Sequence, residues 1–344
     1  MAYKTTVFKR NVTIGRVVDY IQICNNLAFN KRVFVVTDQN VFDSSARTEF
    51  AKKISVKVHW IVLKPGEAYK NIQSVSAVLM HLDQNNFTAN DVLIGFGGGV
   101  VCDLTSFIAS TLYRGVAHVL VPTSVIAMVD AAIGGKTGIN YLNIKNYLGT
   151  VYPAYETIID PTYLESLPAL EYKQGVAEVL KIALIADKTL LKKLIKNNFT
   201  LNEEIIKRSI LAKKAIVEKD AYSLNRRKML NFGHTLGHII ESSLNLDIAH
   251  GEAVLYGMLL ETELIYEKGL IKKPVFDKVL KAIKSFPLYK REKLEEIRRS
   301  ILVKYLFNDK KQTKNSEITL TKVKKIGKGE LVNVSISDIQ AYLN

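Results

Sequence analysis

The stretch Asp91-Val-Leu-Ile-Gly-Phe96-Gly97-Gly-Gly-Val-Val-Cys102-Asp103 decides the fold class of this chain. A short apolar run ends in three glycines and continues into a helical pattern, so the stretch predicts a strand that turns directly into a helix. Glycines at such a turn let backbone N–H groups approach a phosphate, and the start of the helix favours negative charge. The alternative is a tight turn that needs glycine only for its backbone, because the standard G-x-G-x-x-G spacing is absent.

Strand-like and helical patterns alternate on both sides of this stretch. Short β-branched runs lie at 32–38, 56–63 and 118–122, and helical patterns lie at 72–81 and 101–113. Buried strands that alternate with helices indicate an α/β domain with a parallel sheet.

After residue 160 the patterns change to almost all helix. Helices are predicted over 164–186, 190–219, 251–268, 274–286 and 291–307, and one minor hairpin near the end is predicted from 317–321 and 329–334. We therefore predict two domains, an α/β domain at 1–158 and a helical domain at 159–344.

Composition restricts the function classes. The chain has 344 residues, 48% of them hydrophobic, with no apolar run as long as a membrane span and no signal-peptide core at its N-terminus. Its two cysteines, Cys24 and Cys102, provide no disulfide framework, so a cytoplasmic location is expected. The net charge of +15 comes from lysines scattered over amphipathic segments, without interleaved aromatics or a basic tail. This favours a small anionic substrate, and no nucleic-acid or membrane partner is expected.

The segment from Asp130 to Gly149 combines glycines with spaced cations. Gly134-Gly-Lys136-Thr-Gly138 and the pair Lys145-Asn146 place ammonium groups beside exposed backbone amides. We interpret the segment as an anion-binding loop. A solvated surface loop is the alternative.

Half of the six histidines lie in one region. His234 and His238 are four residues apart and share one face of a helix, and His250 follows a turn-like break. Converging imidazoles are the usual components of a zinc-type site, although any one of them could be an ordinary core histidine. Glu178, in the largely apolar run Gly175 to Ile185, is a candidate carboxylate ligand because a buried carboxylate needs a partner. The residues alone leave open which histidine is a ligand and which is an acid or base.

Together these motifs resemble the 3-dehydroquinate synthase family, NAD- and zinc-dependent cyclases of the shikimate pathway, from about residue 65 to 311. The matching residues, in order, are Gly66-Glu67-Ala-Tyr-Lys70, Gly97 to Asp103, Tyr113-Arg114-Gly115, Pro122-Thr-Ser124, Asp130 to Asn140, Lys145-Asn146, Ala177 to Lys181, Arg227 to Glu241, His250-Gly-Glu-Ala253 and Asp309-Lys-Lys311. No one of them is specific, but their order and spacing are.

The resemblance implies an N-terminal NAD-binding domain, an all-α C-terminal metal-binding domain and an active site between them. It assigns a divalent metal, zinc first and cobalt as the alternative, to Glu178, His234 and His250. The catalytic residues it implies are His238 as proton relay, Lys136, Asp130, Lys181 and Asn231. The NAD-binding residues it implies are Asp38, Glu67, Lys70, Gly98, Gly99, Val100, Val101, Cys102, Asp103, Thr123, Ser124, Lys136, Lys145, Tyr163, Leu164, Glu165 and Ser166.

The implied substrate is 3-deoxy-D-arabino-heptulosonate 7-phosphate, which carries a phosphate and a carboxylate. Its implied binding residues are Arg114, Asn146, Lys145, Lys213, Arg227, Lys310 and Lys311, with Lys213 and Arg227 at the carboxylate and Arg114 reaching the phosphate from a homodimer partner. The implied reaction is transient oxidation by NAD, phosphate elimination, re-reduction and intramolecular aldol closure. Cys102 and Ala131-Ala132 depart from the family pattern, and Cys102 is expected to add bulk beside the NAD pyrophosphate.

Three rival functions remain. One is another sugar-phosphate cyclase whose substrate lacks a carboxylate, which the pair Lys213 and Arg227 argues against. The second is a metal-dependent polyol dehydrogenase, which would form NADH and would not need so many cations. The third is a basic RNA-binding protein, whose salt-sensitive binding would survive loss of His234 and His250.

Overall fold

The computed structural model describes residues 2–15, 32–54, 56–142, 144–220, 222, 225–242, 248–301 and 317–343. The chain divides into two compact units, Met1–Tyr172 and Lys173–Asn344. The boundary predicted from the sequence lies earlier, near residue 158. Among the described residues, no helix has both the length and the apolar character needed to cross a membrane.

The first unit is built on a seven-stranded sheet whose order is β1-β2-β9-β6-β5-β3-β4. The strands of this unit are β1 Tyr3–Val7, β2 Arg10–Ile14, β3 Val33–Asp38, β4 Val58–Leu63, β5 Val92–Gly97, β6 His118–Pro122, β7 Ile139–Tyr141, β8 Ile144–Leu148 and β9 Glu156–Ile159. β1 is antiparallel to β2, and the other neighbours in the large sheet are parallel. β7 and β8 form a separate antiparallel hairpin.

Helices cover the sheet of the first unit. They are α1 Gln39–Phe42, α2 Ser45–Ala51, α3 Ile72–Gln84, α4 Gly99–Thr111 and α5 Val125–Val129, with 3-10 turns at Glu67–Tyr69, Leu112–Arg114, Ala131–Ile133 and Pro161–Ser166. Strands β5 and β6 are buried at every residue, as expected for parallel strands that are covered on both faces. Phe34 and Leu93 from the sheet pack with Val78 of α3 and with Leu104 and Ile108 of α4 in one apolar core. The parallel α/β sheet predicted from the sequence is confirmed.

The second unit is mainly helical. Its helices are α6 Ala169–Ala186, which begins just before the division, α7 Lys188–Lys196, α8 Glu203–Val217, α9 His234–Ser242, α10 His250–Glu267, α11 Lys273–Lys284, α12 Arg291–Ile301 and α13 Ile336–Leu343. A 3-10 turn spans Arg226–Asn231. The hairpin expected near the end is present as β10 Glu317–Lys325 and β11 Lys328–Ser335.

Two predicted helices were wrong in their extent. The single helix predicted over 190–219 is two helices, because Asn198 and Phe199 adopt left-handed φ angles of 49° and 58° that end α7. The Asn202 side chain then caps α8 by accepting from the Ile205 N–H at 2.9 Å. The helix predicted from Leu164 begins instead at Ala169, directly after Pro168.

Candidate active site

Three side chains with metal-ligating atoms converge in the second unit. Glu178 lies on α6, His234 is the first residue of α9, and His250 is the first residue of α10. The Nε2 atoms of His234 and His250 lie 3.6 and 3.9 Å from Glu178 Oε1, and the three ligand atoms lie within 4.8 Å of one another. These N···O distances are longer than those of hydrogen bonds. They are close to the roughly 3.4 Å that separates two ligand atoms on one tetrahedral zinc ion. The cluster therefore fits one divalent cation with little movement.

Hydrogen bonds orient both imidazoles of this cluster. His234 Nδ1 lies 3.3 Å from the Phe232 carbonyl oxygen, and His250 Nδ1 lies 2.8 Å from Glu241 Oε1. In each ring the Nδ1–H can donate to this oxygen. The Nε2 atom, which is the one near Glu178 Oε1, then keeps its lone pair for a metal. Glu241 ends the matching stretch Arg227 to Glu241, and the resemblance implies no role for it.

A lysine and burial determine the charges at the cluster. Glu178 and Lys181 are both 2% exposed, and the Lys181 ammonium contacts the Glu178 carboxylate. Burial, followed by the positive charge of Lys181, lowers the pKa of His234 to about 4. Burial also lowers the pKa of His250, but the Glu241 hydrogen bond and the charge of Glu178 outweigh it and leave that pKa raised. His234 is therefore neutral at pH 7, which is the form that binds metal.

A second possible ligand set overlaps the first. Atoms of His238, Glu241 and His250 also lie within 4.8 Å of one another. The exposed His238 ring lies 5.6 Å from the His234 ring and 6.1 Å from the His250 ring, measured between centroids. Because both sets contain His250, removal of that residue does not distinguish them.

Close packing of α10 on α6 brings His250 to Glu178. Gly251 lies so near Gln174 that a Cβ atom there would be 2.4 Å from the Gln174 carbonyl oxygen. Only glycine allows this approach, since the clash would be with backbone atoms rather than with a mobile side chain. The residue after His250 thus determines how near the imidazole comes to α6.

Two further cations are buried in the second unit. Lys213 on α8 is 3% exposed, and Arg227 in the 3-10 turn is 6% exposed. The Asp220 carboxylate holds this segment, because its Oδ2 accepts from the backbone N–H groups of Asn225 and Arg227 at 2.8 and 2.9 Å. Asn231, at the end of the same turn, is exposed. Buried cations are costly unless they are paired or hydrogen-bonded.

The sheet of the first unit contains a topological switch point. The chain leaves β3 toward β4 on one side, whereas it leaves β5 toward β6 on the other. Such a switch point opens a crevice beyond the carboxyl ends of the strands, where ligands of open α/β sheets bind. Asp38 ends β3 and Gly97 ends β5, so both residues lie at carboxyl ends of strands beside this switch point.

The N-terminus of α4 follows β5 directly. Gly98 occupies its N-cap position and has no side chain to cap the helix. A Cβ atom on Gly97 would be 2.7 Å from Val101, so the turn requires glycine there. An uncapped helix start at the end of a parallel strand is suited to a phosphate. On the neighbouring strand Thr123 and Ser124 follow β6, and Ser124 caps α5.

Lys70 connects two predicted sites within the first unit. Its Nζ lies 2.5 Å from Asp103 Oδ2 and 2.6 Å from Asn146 Oδ1. Burial raises the pKa of Asp103, while Lys70 opposes that rise. Asn140, which received no role from the sequence, donates to Glu67 Oε1 at 2.8 Å. The hairpin β7–β8 is thereby tied to the turn that carries Glu67 and Lys70.

The remaining predicted residues lie on several different segments of the chain. Asp130 follows α5, Lys136 pairs with Val151 in an isolated bridge, and Lys145 is an exposed residue of β8. Arg114 is exposed in the turn after α4, with a φ of 63°. A cavity of about 240 Å³ is lined by Ser45, Ala46, Glu49, Thr162, Tyr163, Glu165 and Ser166, and it includes part of the predicted segment 163–166. Lys310 and Lys311 lie outside the described residues.

Comparison with known proteins identifies the family. The model of the 3-dehydroquinate synthase N-terminal domain matches residues 60–174, and that of the C-terminal domain matches residues 175–312. The chain belongs to the 3-dehydroquinate synthase family. A 3-dehydroquinate synthase of Streptococcus pyogenes serotype M5 (strain Manfredo) is 38% identical over 267 residues, which are 75% of this chain and 74% of that protein. The family and the enzyme class predicted from the sequence, a phosphorus–oxygen lyase, are confirmed.

Two solved structures are similar to this chain in fold. A 2-deoxy-scyllo-inosose synthase complexed with carbaglucose-6-phosphate, NAD+ and Co2+ has a TM-score of 0.81 at 20% identity, covering 100% of this chain and 99% of that one. A 2-epi-5-epi-valiolone synthase from Streptomyces hygroscopicus subsp. jinggangensis 5008, with NAD+ and Zn2+ bound, has a TM-score of 0.77 at 24% identity, covering 99% and 98%. At these identities the likeness establishes the fold, as predicted.

One departure from the 3-dehydroquinate synthase pattern, Cys102, lies just after the glycine turn. Cys102 is 1% exposed and packs with Leu120, Ala127, Ala132 and Ala154 in the core of the first unit. Its Sγ lies 3.8 Å from the Gly97 carbonyl oxygen, so the effect of its bulk on a pyrophosphate at the glycine turn stays a prediction. As the fourth residue of α4, Cys102 turns inward, and Ala132, another departure, supplies a small neighbour.

Proposed function

We propose that this member of the family is a 3-dehydroquinate synthase that converts 3-deoxy-D-arabino-heptulosonate 7-phosphate to 3-dehydroquinate and phosphate. The observation that carries the proposal is the convergence of Glu178, His234 and His250 in a chain that both family models match. Three protein ligands that leave a position open are typical of a catalytic rather than a structural metal site.

Glu178, His234 and His250 would hold the divalent metal. The donor set fits it, because one carboxylate and two imidazoles, with both Nε2 atoms facing Glu178 Oε1, match a catalytic zinc site, and cobalt accepts the same donors. When bound, the metal supplies a Lewis acid that makes a substrate hydroxyl more acidic. Glu241 would hold the His250 ring, and the Phe232 carbonyl would hold the His234 ring.

NAD would lie at the switch point of the first unit. The supporting observations are the uncapped start of α4, the neighbouring strand ends and the pair Lys70–Asp103. The proposed cofactor residues are Asp38, Glu67, Lys70, 98–103, Thr123, Ser124, Lys136, Lys145 and 163–166. When bound, NAD supplies a hydride acceptor that later returns the hydride, so no net oxidation occurs.

The substrate contacts follow from charge. Lys213 and Arg227 would bind the carboxylate, for which a planar guanidinium offers a bidentate partner, and their burial strengthens this interaction. Lys136, Asn146, Lys181 and Asn231 would bind the hydroxyls, with Asp130, Lys145, Lys310 and Lys311 completing the polar lining. His238, exposed one turn after His234, would relay a proton at an imidazole nitrogen. We propose a homodimer in which Arg114 reaches the phosphate of the neighbouring subunit's substrate.

The proposal is tested by measuring phosphate release from the heptulosonate phosphate with and without a chelator, and with and without NAD. We expect release only when both metal and NAD are present, without accumulation of NADH. His250→Ala should lose metal and phosphate release together. NADH accumulation with a simple polyol would support the dehydrogenase instead. Faster release from a sugar phosphate that lacks a carboxylate would support another cyclase.

A further inference from the structure

Helix α9 begins with a proposed metal ligand but has no side chain of its own at the cap position. His234 is its first residue, and the residue before it is Gly233, with a φ of 80°. The first backbone N–H groups of any helix lack partners within the helix and need acceptors from elsewhere. How these groups are satisfied therefore determines where the His234 backbone lies.

A buried carboxylate from another helix supplies the acceptors. Glu261 of α10 is 0% exposed, its Oε2 accepts from the Gly233 N–H at 2.8 Å, and its Oε1 accepts from the Leu236 N–H at 3.3 Å. A glutamate in the apolar run Tyr256-Gly-Met-Leu-Leu-Glu261 is costly to bury, so hydrogen bonds to a helix start are its physical compensation.

Glu261 and His250 are placed to act together. Glu261 follows His250 by about three helical turns, so both lie on the same face of α10. Gly257 lies between them, and a Cβ atom there would be 2.0 Å from the Gly233 carbonyl oxygen and 2.7 Å from the Gly237 nitrogen. The α10 backbone at Gly257 thus contacts the start of α9, and Glu261 of α10 accepts hydrogen bonds from that start. His250, at the beginning of α10, lies near His234.

We propose that Glu261 is a positioning residue of the metal centre, whose carboxylate anchors the start of α9 and so sets His234 opposite Glu178 and His250. The inference rests on the metal site proposed above. Without the Glu261 carboxylate, the first turn of α9 can shift along α10. The His234 ring then moves away from Glu178 and His250, and the three residues no longer bind one metal ion together. The role requires two acceptor oxygens, which glutamine cannot supply because its amide group has one oxygen and an NH2 donor.

The test compares the unaltered protein with Glu261→Gln, without substrate or NAD. Co2+ affinity is measured by competition with a chelator, the visible spectrum of bound Co2+ reports its geometry, and denaturant unfolding of the metal-free protein reports stability. Thr262→Val is the matched control, because Thr262 is buried beside Glu261 but its hydroxyl donates only within α10, to the Met258 carbonyl at 2.6 Å. We expect Glu261→Gln to bind Co2+ about tenfold or more weakly and to change its spectrum, whereas Thr262→Val keeps both.

Unchanged affinity and spectrum in Glu261→Gln would overturn the role. The role would also be overturned if Glu261→Gln and Thr262→Val weakened Co2+ binding equally, in proportion to their loss of unfolding free energy. If Glu261→Gln does not fold, Glu261→Asp, which keeps both oxygens on a shorter side chain, is measured in the same way against the same control. Failure of the unaltered protein to bind Co2+ would overturn the metal centre and this role together, whereas normal binding with an unaffected variant overturns this role alone.

Discussion

Replacing Glu241 with alanine separates the two overlapping ligand sets at His250. In the proposed site Glu241 does not bind the metal but accepts from His250 Nδ1 at 2.8 Å, and its side chain is 16% exposed. Loss of such an outer partner typically weakens metal binding about 10- to 100-fold, or roughly 1.4 to 2.7 kcal/mol. If His238, Glu241 and His250 were the ligands, the same change would remove a direct bond to the metal and abolish binding.

The assay is titration of the metal-free protein with Co2+ against a competing chelator. Glu241→Ala should bind Co2+ about 10- to 100-fold more weakly than the unaltered protein. Glu241→Gln keeps an oxygen that can accept from His250 Nδ1–H, so it should weaken Co2+ binding less than Glu241→Ala does. Glu178→Gln should weaken Co2+ binding the most, because the Glu178 carboxylate lies near the Nε2 atoms of both His234 and His250. The reasoning is refuted if Glu241→Ala abolishes binding while Glu178→Gln retains it, or if Glu241→Ala binds as tightly as the unaltered protein.

Other predictions concern the core, the helix contact and the substrate. Burial lowers the pKa of His118 to about 3, so the free energy of unfolding should fall as pH drops from about 6.5 towards 3, by about 1.4 kcal/mol per pH unit. Denaturant unfolding across this pH range should show a shallower fall for His118→Asn. Gly257→Ala would place a Cβ atom 2.0 Å from the Gly233 carbonyl and should destabilise the protein by about 1–3 kcal/mol or more, with weaker Co2+ binding, measured by denaturation and titration. Arg227→Lys should raise KM for the heptulosonate phosphate more than it lowers kcat, because lysine loses bidentate contact with a carboxylate; an unchanged KM would argue against that contact.

Local patterns were sufficient for the sheet and for several candidate residues. Fully apolar runs such as 92–97 must be covered on both faces, and the glycines after Phe96 allow the chain to enter α4 at once. The prediction of one helix over 190–219 overlooked Asn198 and Asn202, because asparagine favours the left-handed backbone that ends a helix and also caps helix starts. Phe199 is 8% exposed, so its packing contributes to holding the turn.

Residue types and their spacing along the chain pointed to Glu178 and to the three histidines, because an acid in an apolar helix and imidazoles four residues apart are recognisable without coordinates. Which nitrogen of each ring faces Glu178 depends on the Phe232 carbonyl and on Glu241, and neither contact can be read from spacing. Glu261 is a single acid among apolar residues, as Glu178 is, but its partners are backbone N–H groups on another helix. Periodicity reports what each segment buries, whereas the partner of a buried polar atom is decided only when helices pack, since that partner can come from any part of the chain.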